Sequence, residues 1–427
     1  MGAVILRLPF SHQTDRVSFV DALFTATSAL CVTGLTVVDT AKDYNFLGQL
    51  VILFLIQAGG LGIMTFAALA FQLAGRRMSI QSQAIVSDTL FQRDVAAEFR
   101  RAFFTILILT FAIEGLGALL LLTLFLPLME PGAAVFFALF HSVSAFCNAG
   151  FSVHSDNLVA FRDHLGILII IMVLIVLGGL GYTVLHEIWM RIEDRVRWKR
   201  ITGISTFSLH ARLVMLVTLP LIVGGTLFLL LFGLTDAEVT WCDRIIHALF
   251  QSITAMTAGF NSLDIGRLPH ASLLTLIILM FIGGSPASCA GGIKTTSLAV
   301  WLARLRSIFQ GKKEIHLLDR RLSEDLVNRV DLLLALAVLW NLAGFMVLCA
   351  TEAQLPAQAL DLLFEQISAF GTVGLSTGIS PDLSDLGKLW ISATMFVGRL
   401  GPLTIAFWIF PRSRVHVSYP KGRVMIG

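Results

Sequence analysis

Apolar residues in this chain come in long uncharged blocks separated by short polar stretches. Tyr44 to Gly75, Leu165 to Leu185, Leu213 to Thr235, Ala271 to Ile293 and Leu332 to Thr351 carry no charged residue. Each reaches the ~20 residues that cross a ~30 Å hydrocarbon layer at ~1.5 Å per residue. Two further blocks hold one charge each: Ala102 to Met129 with Glu114, and Leu389 to Phe410 with Arg399. The pattern predicts about seven crossings and an all-α polytopic membrane protein, since a membrane β-barrel would show roughly ten-residue alternating segments.

Composition agrees: of the 427 residues, 56% are hydrophobic and 14% charged, against about 25% charged in soluble domains. The net charge of +3 says little, but its placement says more. Of the 31 Lys and Arg, 22 fall in four stretches, Arg76–Arg101, Arg191–Arg212, Arg304–Arg329 and Arg412–Arg423. The positive-inside rule puts these four on the cytoplasmic side. They are solvated loops on any reading, and nucleic-acid binding is not needed to explain them. The five cysteines are odd in number and scattered, and read as small apolar fillers.

Internal similarity carries the most information. Phe24–Leu35 (FTATSALCVTGL), Phe140–Phe151 (FHSVSAFCNAGF), Phe250–Phe260 (FQSITAMTAGF) and Phe364–Leu375 (FEQISAFGTVGL) align, with Gly34, Gly150, Gly259 and Gly374 in register and one deletion in the third copy. The glycines are spaced by 116, 109 and 115 residues. Each copy is about ten apolar residues followed by a small-polar run ending in Gly. Ten helical residues reach ~15 Å, half a bilayer, so these segments dip in and return. Non-helical backbone at that depth is tolerated where it lines a water-filled cavity. Carbonyls on four such returns can replace the hydration shell of a monovalent cation, and half-helix C-termini point their negative ends at the same place. The bland alternative is small-residue helix packing, which four copies in equivalent positions disfavour.

These residues resemble the Trk/Ktr/HKT potassium transporters, and most closely the membrane subunit of the Ktr system. The resemblance rests on DALFTATSALCVTGLTVVDT (Asp21–Thr40), QAGGLGIMTF (Gln57–Phe66), FHSVSAFCNAGFS (Phe140–Ser152), TAGFNSLDIG (Thr257–Gly266), GGIKTT (Gly291–Thr296), SAFGTVGLSTG (Ser368–Gly378), FVGRLGPLT (Phe396–Thr404) and the YPKGRVMIG tail. It implies four membrane–pore loop–membrane repeats in pseudo-fourfold arrangement around a central pore. The repeats would span 1–75 (pore loop 21–40), 98–200 (pore loop 135–156), 208–310 (pore loop 242–266, second helix broken at 283–292) and 327–410 (pore loop 360–380), with 411–427 a cytoplasmic tail. It further implies potassium uptake across the cell membrane, sodium-stimulated, by a homodimer embedded in membrane lipid. ATP/ADP or NAD(H) would bind a cytoplasmic nucleotide-binding regulatory ring and not this chain, which has no GxxxxGK[ST] loop.

Carried over residue by residue, the potassium-binding filter falls on Cys31, Val32, Thr33 and Gly34; Cys147, Asn148, Ala149 and Gly150; Met256, Thr257, Ala258 and Gly259; and Gly371, Thr372, Val373 and Gly374. Gly34 matches the potassium pattern, since Ser there accompanies sodium preference in the plant branch. Two departures stand out. Family members often carry Arg just before the third TAG, where this chain has Met256. Eight spanning helices are expected, yet only ~15 Å of possible helix precedes Asp21. The first helix reads as largely missing, and an in-frame upstream stretch of about twenty apolar residues is expected.

Two features suggest a gate. GGSPASCAGG (Gly283–Gly292) holds four glycines and Pro286 within ten residues, too many breakers for a regular helix at ~1 kcal/mol per Gly and ~3 per Pro. In the family such a break is a loop beneath the filter, here containing Gly283, Gly284, Ser285, Ala287, Ser288, Gly291 and Gly292; a kinked, packed helix is the alternative. Lys294 just after it either faces the cavity or snorkels to the interface. Arg399 lies about eleven residues from each end of its block, where an unpaired arginine costs at least ~2.5 kcal/mol. The resemblance puts it in the pore below the filter; pairing with Glu114 or a helix-end carbonyl is the alternative. His141 reads as a pore-helix start residue and not a ligand. Glu114 is the only acidic residue well inside a spanning block, too few for a proton relay.

No clustered nucleophile, base or metal set suggests an enzyme. An inverted-repeat carrier would reverse orientation between copies, whereas all four loops enter from one side. The competing reading within transport is a sodium-conducting or weakly selective monovalent cation channel.

Overall fold

The computed structural model describes residues 1–13, 17–62, 95–196, 207–233, 240–286, 288–312, 314–318 and 320–401. Ala287 of the glycine-rich loop, the tail at 411–427 and the ends of the first and last expected repeats lie outside these residues. Among the described residues the regular elements are helices, apart from a two-strand ribbon, His316–Leu317 (β1) paired antiparallel with Arg320–Arg321 (β2).

Short helices carry the four similar segments. Phe19–Leu30 (α2), Pro131–Phe146 (α5), Trp241–Thr254 (α9) and Ala359–Gly371 (α13) have 12, 16, 14 and 13 residues, too short to cross at ~1.5 Å per residue. Their starts are written locally. Ser18 and Asp21 form a reciprocal capping box on α2, Gln358 and Asp361 do the same on α13, Pro131 opens α5, and Thr240 caps α9.

Long helices surround them. Phe104–Phe125 within Val95–Phe125 (α4), Leu209–Phe232 (α8) and Glu324–Thr351 (α12) are long and apolar enough to cross a bilayer. Large apolar side chains such as Leu119, Leu231 and Met346 stand exposed on them, as a lipid-facing surface requires. The remaining helices are Gly2–Arg7 (α1), Phe46–Gly60 (α3), Leu165–Leu180 (α6), Tyr182–Val196 (α7), His270–Phe281 (α10), Thr295–Phe309 (α11) and Asp385–Leu400 (α14).

One expectation is corrected. Leu165 to Leu185 is not one straight crossing: α6 and α7 meet at a 106° bend. The cause is local. Gly178 packs so tightly on the carbonyl of Phe146 that a Cβ would overlap it, and Gly181 takes φ 86°, which a helix cannot continue through. The same signature closes two other helices. Gly59 and Gly398 press on the carbonyls of Leu30 and Phe370, and Gly62 and Gly401 follow at φ 87° and 86°. The aligned words AGGLG, LGGLG and VGRLG thus end the helix after each of three short helices. The fourth counterpart, IGGSP, is where α10 stops, and the described residues from Ile282 to Lys294 are irregular before α11.

The core closes in a cycle. Buried clusters join α1–α3 to α5, α4–α6 to Phe250 and Phe260, α10 to Phe364 and Ile367 of α13, and α12–α14 back to Phe24 and Leu35. Lys388 Nζ on α14 donates to Asp21 Oδ1 on α2 at 2.8 Å, tying the last segment to the first.

Candidate functional site

The four glycines meet in a ring. A Cβ built on Gly34 would strike the carbonyl of Ala149 and press on Gly150; one on Gly150 would meet Ala258 and Gly259; one on Gly259, Val373 and Gly374; one on Gly374, Thr33 and Gly34. Every one of these approaches falls inside 3.0 Å of the neighbouring carbonyl, so no side chain larger than hydrogen fits. The order 1→2→3→4→1 is closed.

The backbone around each glycine is also the same four times. Val32, Asn148, Thr257 and Thr372 take φ of 56°, 58°, 80° and 48°, and the glycines two residues on take 96°, 67°, 75° and 94°. Three of the four non-glycine residues are β-branched, for which this region is a true outlier costing about 1–3 kcal/mol each. Strain repeated at four equivalent positions has to be held by the surroundings.

Hydroxyl groups at the ends of the short helices hold it. The amide N–H of Gly34 donates to Ser28 Oγ and that of Gly374 to Ser368 Oγ, both at 3.1 Å. In the other two copies the hydroxyl turns around, Ser144 Oγ donating to the Phe151 carbonyl at 2.8 Å and Thr254 Oγ1 to the Phe260 carbonyl at 2.9 Å. A polar residue one step after the leading Phe secures the descending chain. His141 Nε2 lies 2.9 Å from Ser152 Oγ, Gln251 Nε2 3.4 Å from Ser262 Oγ, and Glu365 accepts from Ser376 and Ser380. His141 is therefore a mid-helix anchor and not a start residue; its Nδ1 faces the Phe137 carbonyl at 2.8 Å. Neither set was singled out from sequence, although aligning the four copies puts Ser or Thr at every one of the first positions.

The Met256 side chain is buried and lines a small cavity of about 20 Å³ with Ile253, Gly179 and Gly284. On one face of the ring a cavity of about 780 Å³ opens against Gly34, Gly150 and Gly374, walled by Asp21, Asp39, Asp43, Asp156, Asp264, His154 and Lys388.

On the other face lies the 282–294 loop. Its neck is closed by a bridge between Ile282 and Ile293. It touches the helix ends of the three other segments: Cys289 Sγ donates to the Gly60 carbonyl at 3.4 Å, Ser285 N–H to Gly179 at 3.1 Å, and Gly292 N–H to Gly398 at 3.4 Å. Gly291 packs directly on the side chain of Thr372, and Gly292 lies against Gly371. Ser288 Oγ turns back onto the Ser285 carbonyl, and Gly283 and Gly284 pack on Gly291 and Ala290, so the loop is compact.

Both cations noted in the sequence act on this loop. Arg399 donates to the carbonyls of Cys289 and of Gly59, the latter at the end of α3. Lys294 Nζ donates to the Ala290 carbonyl. Glu114 does not pair with Arg399. Its carboxylate accepts from Gln57 Nε2 at 3.2 Å and from Cys147 Sγ at 3.6 Å, behind the second segment.

Half-membrane helices that meet in a strained glycine ring, inside a shell of spanning helices, define a multi-pass membrane protein built around one axial junction. The chain belongs to the TrkH family of cation transport proteins, whose family profile matches residues 3–414. It is 36% identical over its whole length to a potassium/sodium uptake protein, NtpJ, of Enterococcus hirae, covering 94% of that protein. It is likewise 37% identical over its whole length to the Ktr system potassium uptake protein B of Bacillus subtilis, again covering 94%. Among solved structures it superposes with a TM-score of 0.70 on the potassium transporter TrkH of Vibrio parahaemolyticus, at 22% identity, covering 92% of this chain and 79% of that one.

Proposed function

We propose that the protein takes up potassium through the glycine ring, with the peptide oxygens of the four filter segments replacing the water around the ion. The observation that carries this reading is the closed cycle of contacts among Gly34, Gly150, Gly259 and Gly374, each excluding a Cβ. Cation chemistry suits the approach as well. Five aspartates line the 780 Å³ cavity on one face; Lys388, Lys42 and Arg267 pair with three of them, and the lining keeps an excess of carboxylates that favours cations.

The 282–294 loop is the gate in this proposal. It bridges three other segments beneath the ring, and Arg399 fixes it there while placing a positive charge where a cation would pass. The broken-helix and gating readings of this stretch favour the loop over a kinked helix because α10 and α11 are separated by Ile282 to Lys294. The basic stretches face the cytoplasm, and the chain acts as a homodimer. The proposal includes control by a cytoplasmic nucleotide-binding ring and stimulation by sodium; the relatives' names, a Ktr system protein and a potassium/sodium uptake protein, support a multi-component system that handles both ions.

The test is growth of a potassium-uptake-deficient bacterial strain at submillimolar potassium, together with ⁸⁶Rb⁺ uptake by liposomes holding the purified protein. Rescue and uptake that excess potassium blocks but excess sodium does not support the proposal. Uptake blocked equally by sodium would instead establish a weakly selective or sodium-conducting channel.

A further inference from the structure

Two cysteines from opposite sides of the proposed gating contact share one small site. Cys147 is the first residue of the second filter segment, and Cys289 lies in the 282–294 loop; both are about 1% exposed. Cys147 Sγ lies so close to Gly60 that a Cβ there would overlap it, and Cys289 Sγ is 3.4 Å from the carbonyl of the same Gly60. Both sulfurs therefore lie against the same residue, Gly60, one from each side of the proposed contact. Around them stand Glu114 and Gln57 on the Cys147 side, and Tyr182 Oη 3.5 Å from the Cys289 sulfur. Both are free thiols.

As apolar filler either sulfur would be unremarkable, since small buried cysteines are common. The pairing is different. One sulfur belongs to a segment fixed by the ring, the other to a loop that must leave if ions are to pass. Arg399 and Lys294 both donate to carbonyls of that loop, at Cys289 and Ala290, and reactive cysteines sit in electropositive settings of this kind. The glycine at position 60 is what admits the Cys147 sulfur beside the carbonyl that Cys289 contacts.

We infer that Cys147 and Cys289 are a redox lock, in which a disulfide between them staples the 282–294 loop to the second filter segment and holds the pathway shut. The inference rests on the gating role proposed above. Its chemistry balances with hydrogen peroxide as the two-electron oxidant. When the loop is displaced, the Cys289 sulfur attacks peroxide, giving a sulfenic acid and one water. When the loop returns, the Cys147 sulfur attacks that sulfenic sulfur, the S–S bond forms, and hydroxide leaves and takes up the thiol proton as a second water. A dithiol reductant reverses the lock by exchange, restoring both thiols.

The test uses purified protein in liposomes exposed to hydrogen peroxide and then to a dithiol reductant, with ⁸⁶Rb⁺ uptake and peptide mapping read on the same samples. Peroxide is expected to lower wild-type uptake at least fivefold and to yield a peptide linking Cys147 to Cys289, with reductant restoring the first and removing the second. Cys147→Ser and Cys289→Ser, each compared with its own reduced sample, are expected to change less than twofold. Cys242→Ser, on the exposed surface, is expected to behave as wild type. Peroxide treatment that leaves wild type with no linked peptide overturns the inference, and so does inhibition that persists in Cys289→Ser. Should the reduced protein carry no ⁸⁶Rb⁺ at all, the transport proposal fails, while the linked peptide still decides whether the two sulfurs join.

Discussion

The guanidinium of Arg399 donates to the peptide oxygen of Cys289, joining the last helix to the loop that lies under the glycine ring. A second donation to Gly59 ties both to the first segment. Charge-assisted hydrogen bonds of this type contribute about 1.5–3 kcal/mol each. Losing even one moves a closed–open balance by roughly tenfold or more, at 1.4 kcal/mol per decade. Arg399→Ala is therefore expected to raise basal ⁸⁶Rb⁺ flux in liposomes by about tenfold. Unchanged flux would make Arg399 a structural residue only.

Shortening the loop acts on the same contact from the other side. Removing Ser288 to Ala290 deletes the Cys289 thiol and the loop carbonyls of Cys289 and Ala290 to which Arg399 and Lys294 donate. Basal flux is expected to rise as far as in Arg399→Ala, and combining the two changes should add little, because residues of one network are not additive. An independent, multiplied effect in the double variant would place them in separate mechanisms.

The ring itself makes a sharper demand. Gly259→Ala must put a Cβ on the Val373 carbonyl from a backbone at φ 75°. Uptake is expected to fall more than about tenfold while the protein still reaches the membrane. Gly132→Ala, at a position where a Cβ meets nothing within 4 Å, is the control and is expected to leave uptake unchanged.

Removing a support should blunt selectivity before it abolishes flow. Ser368→Ala leaves the buried Gly374 N–H without its acceptor, a loss of about 1–3 kcal/mol. The strained backbone at Thr372 and Gly374 then relaxes. Sodium competition against ⁸⁶Rb⁺ uptake is expected to strengthen by about tenfold. The same shift is expected for Ser28→Ala, whose hydroxyl accepts from Gly34.

Much of this arrangement is legible in the sequence, and the reason is repetition. One SA-x-x-x-x-G word says little, but three of them and a fourth copy one residue shorter forecast the ring, because equivalent residues in equivalent environments meet at the axis. The break at Gly283–Gly292 was legible too, through the density of glycine and the proline. What was not legible depends on which atoms end up face to face. The bend at Gly181 arises because Gly178 packs on the Phe146 carbonyl, a contact between positions that composition cannot pair. For Arg399 the sequence leaves Glu114 and a helix-end carbonyl both open as partners, and only the packing decides for the carbonyls, of Cys289 and of Gly59 at the end of α3, since Glu114 is taken by Gln57 and Cys147. The supporting hydroxyls stand at aligned positions but carry no signal of their own, because Ser next to Ala also reads as ordinary helix packing.

The closure between first and last segments is a stability element. Lys388 and Asp21 are 12% and 10% exposed at a separation of 2.8 Å. Lys388→Met leaves a carboxylate buried without a cation, a change of about 3–5 kcal/mol. A melting temperature in detergent several degrees below wild type is expected, with most of it recovered in Asp21→Asn combined with Lys388→Met. A double variant no better than the single one would show that the pair is not what the cation serves.

The most direct measurement is anomalous diffraction from crystals grown in thallium or rubidium salts. The account predicts an ion on the axis encircled by Gly34, Gly150, Gly259 and Gly374, within coordination distance of peptide oxygens from all four segments. Protein that carries ⁸⁶Rb⁺ in liposomes yet shows no ion there, or one held by side chains elsewhere, would contradict it.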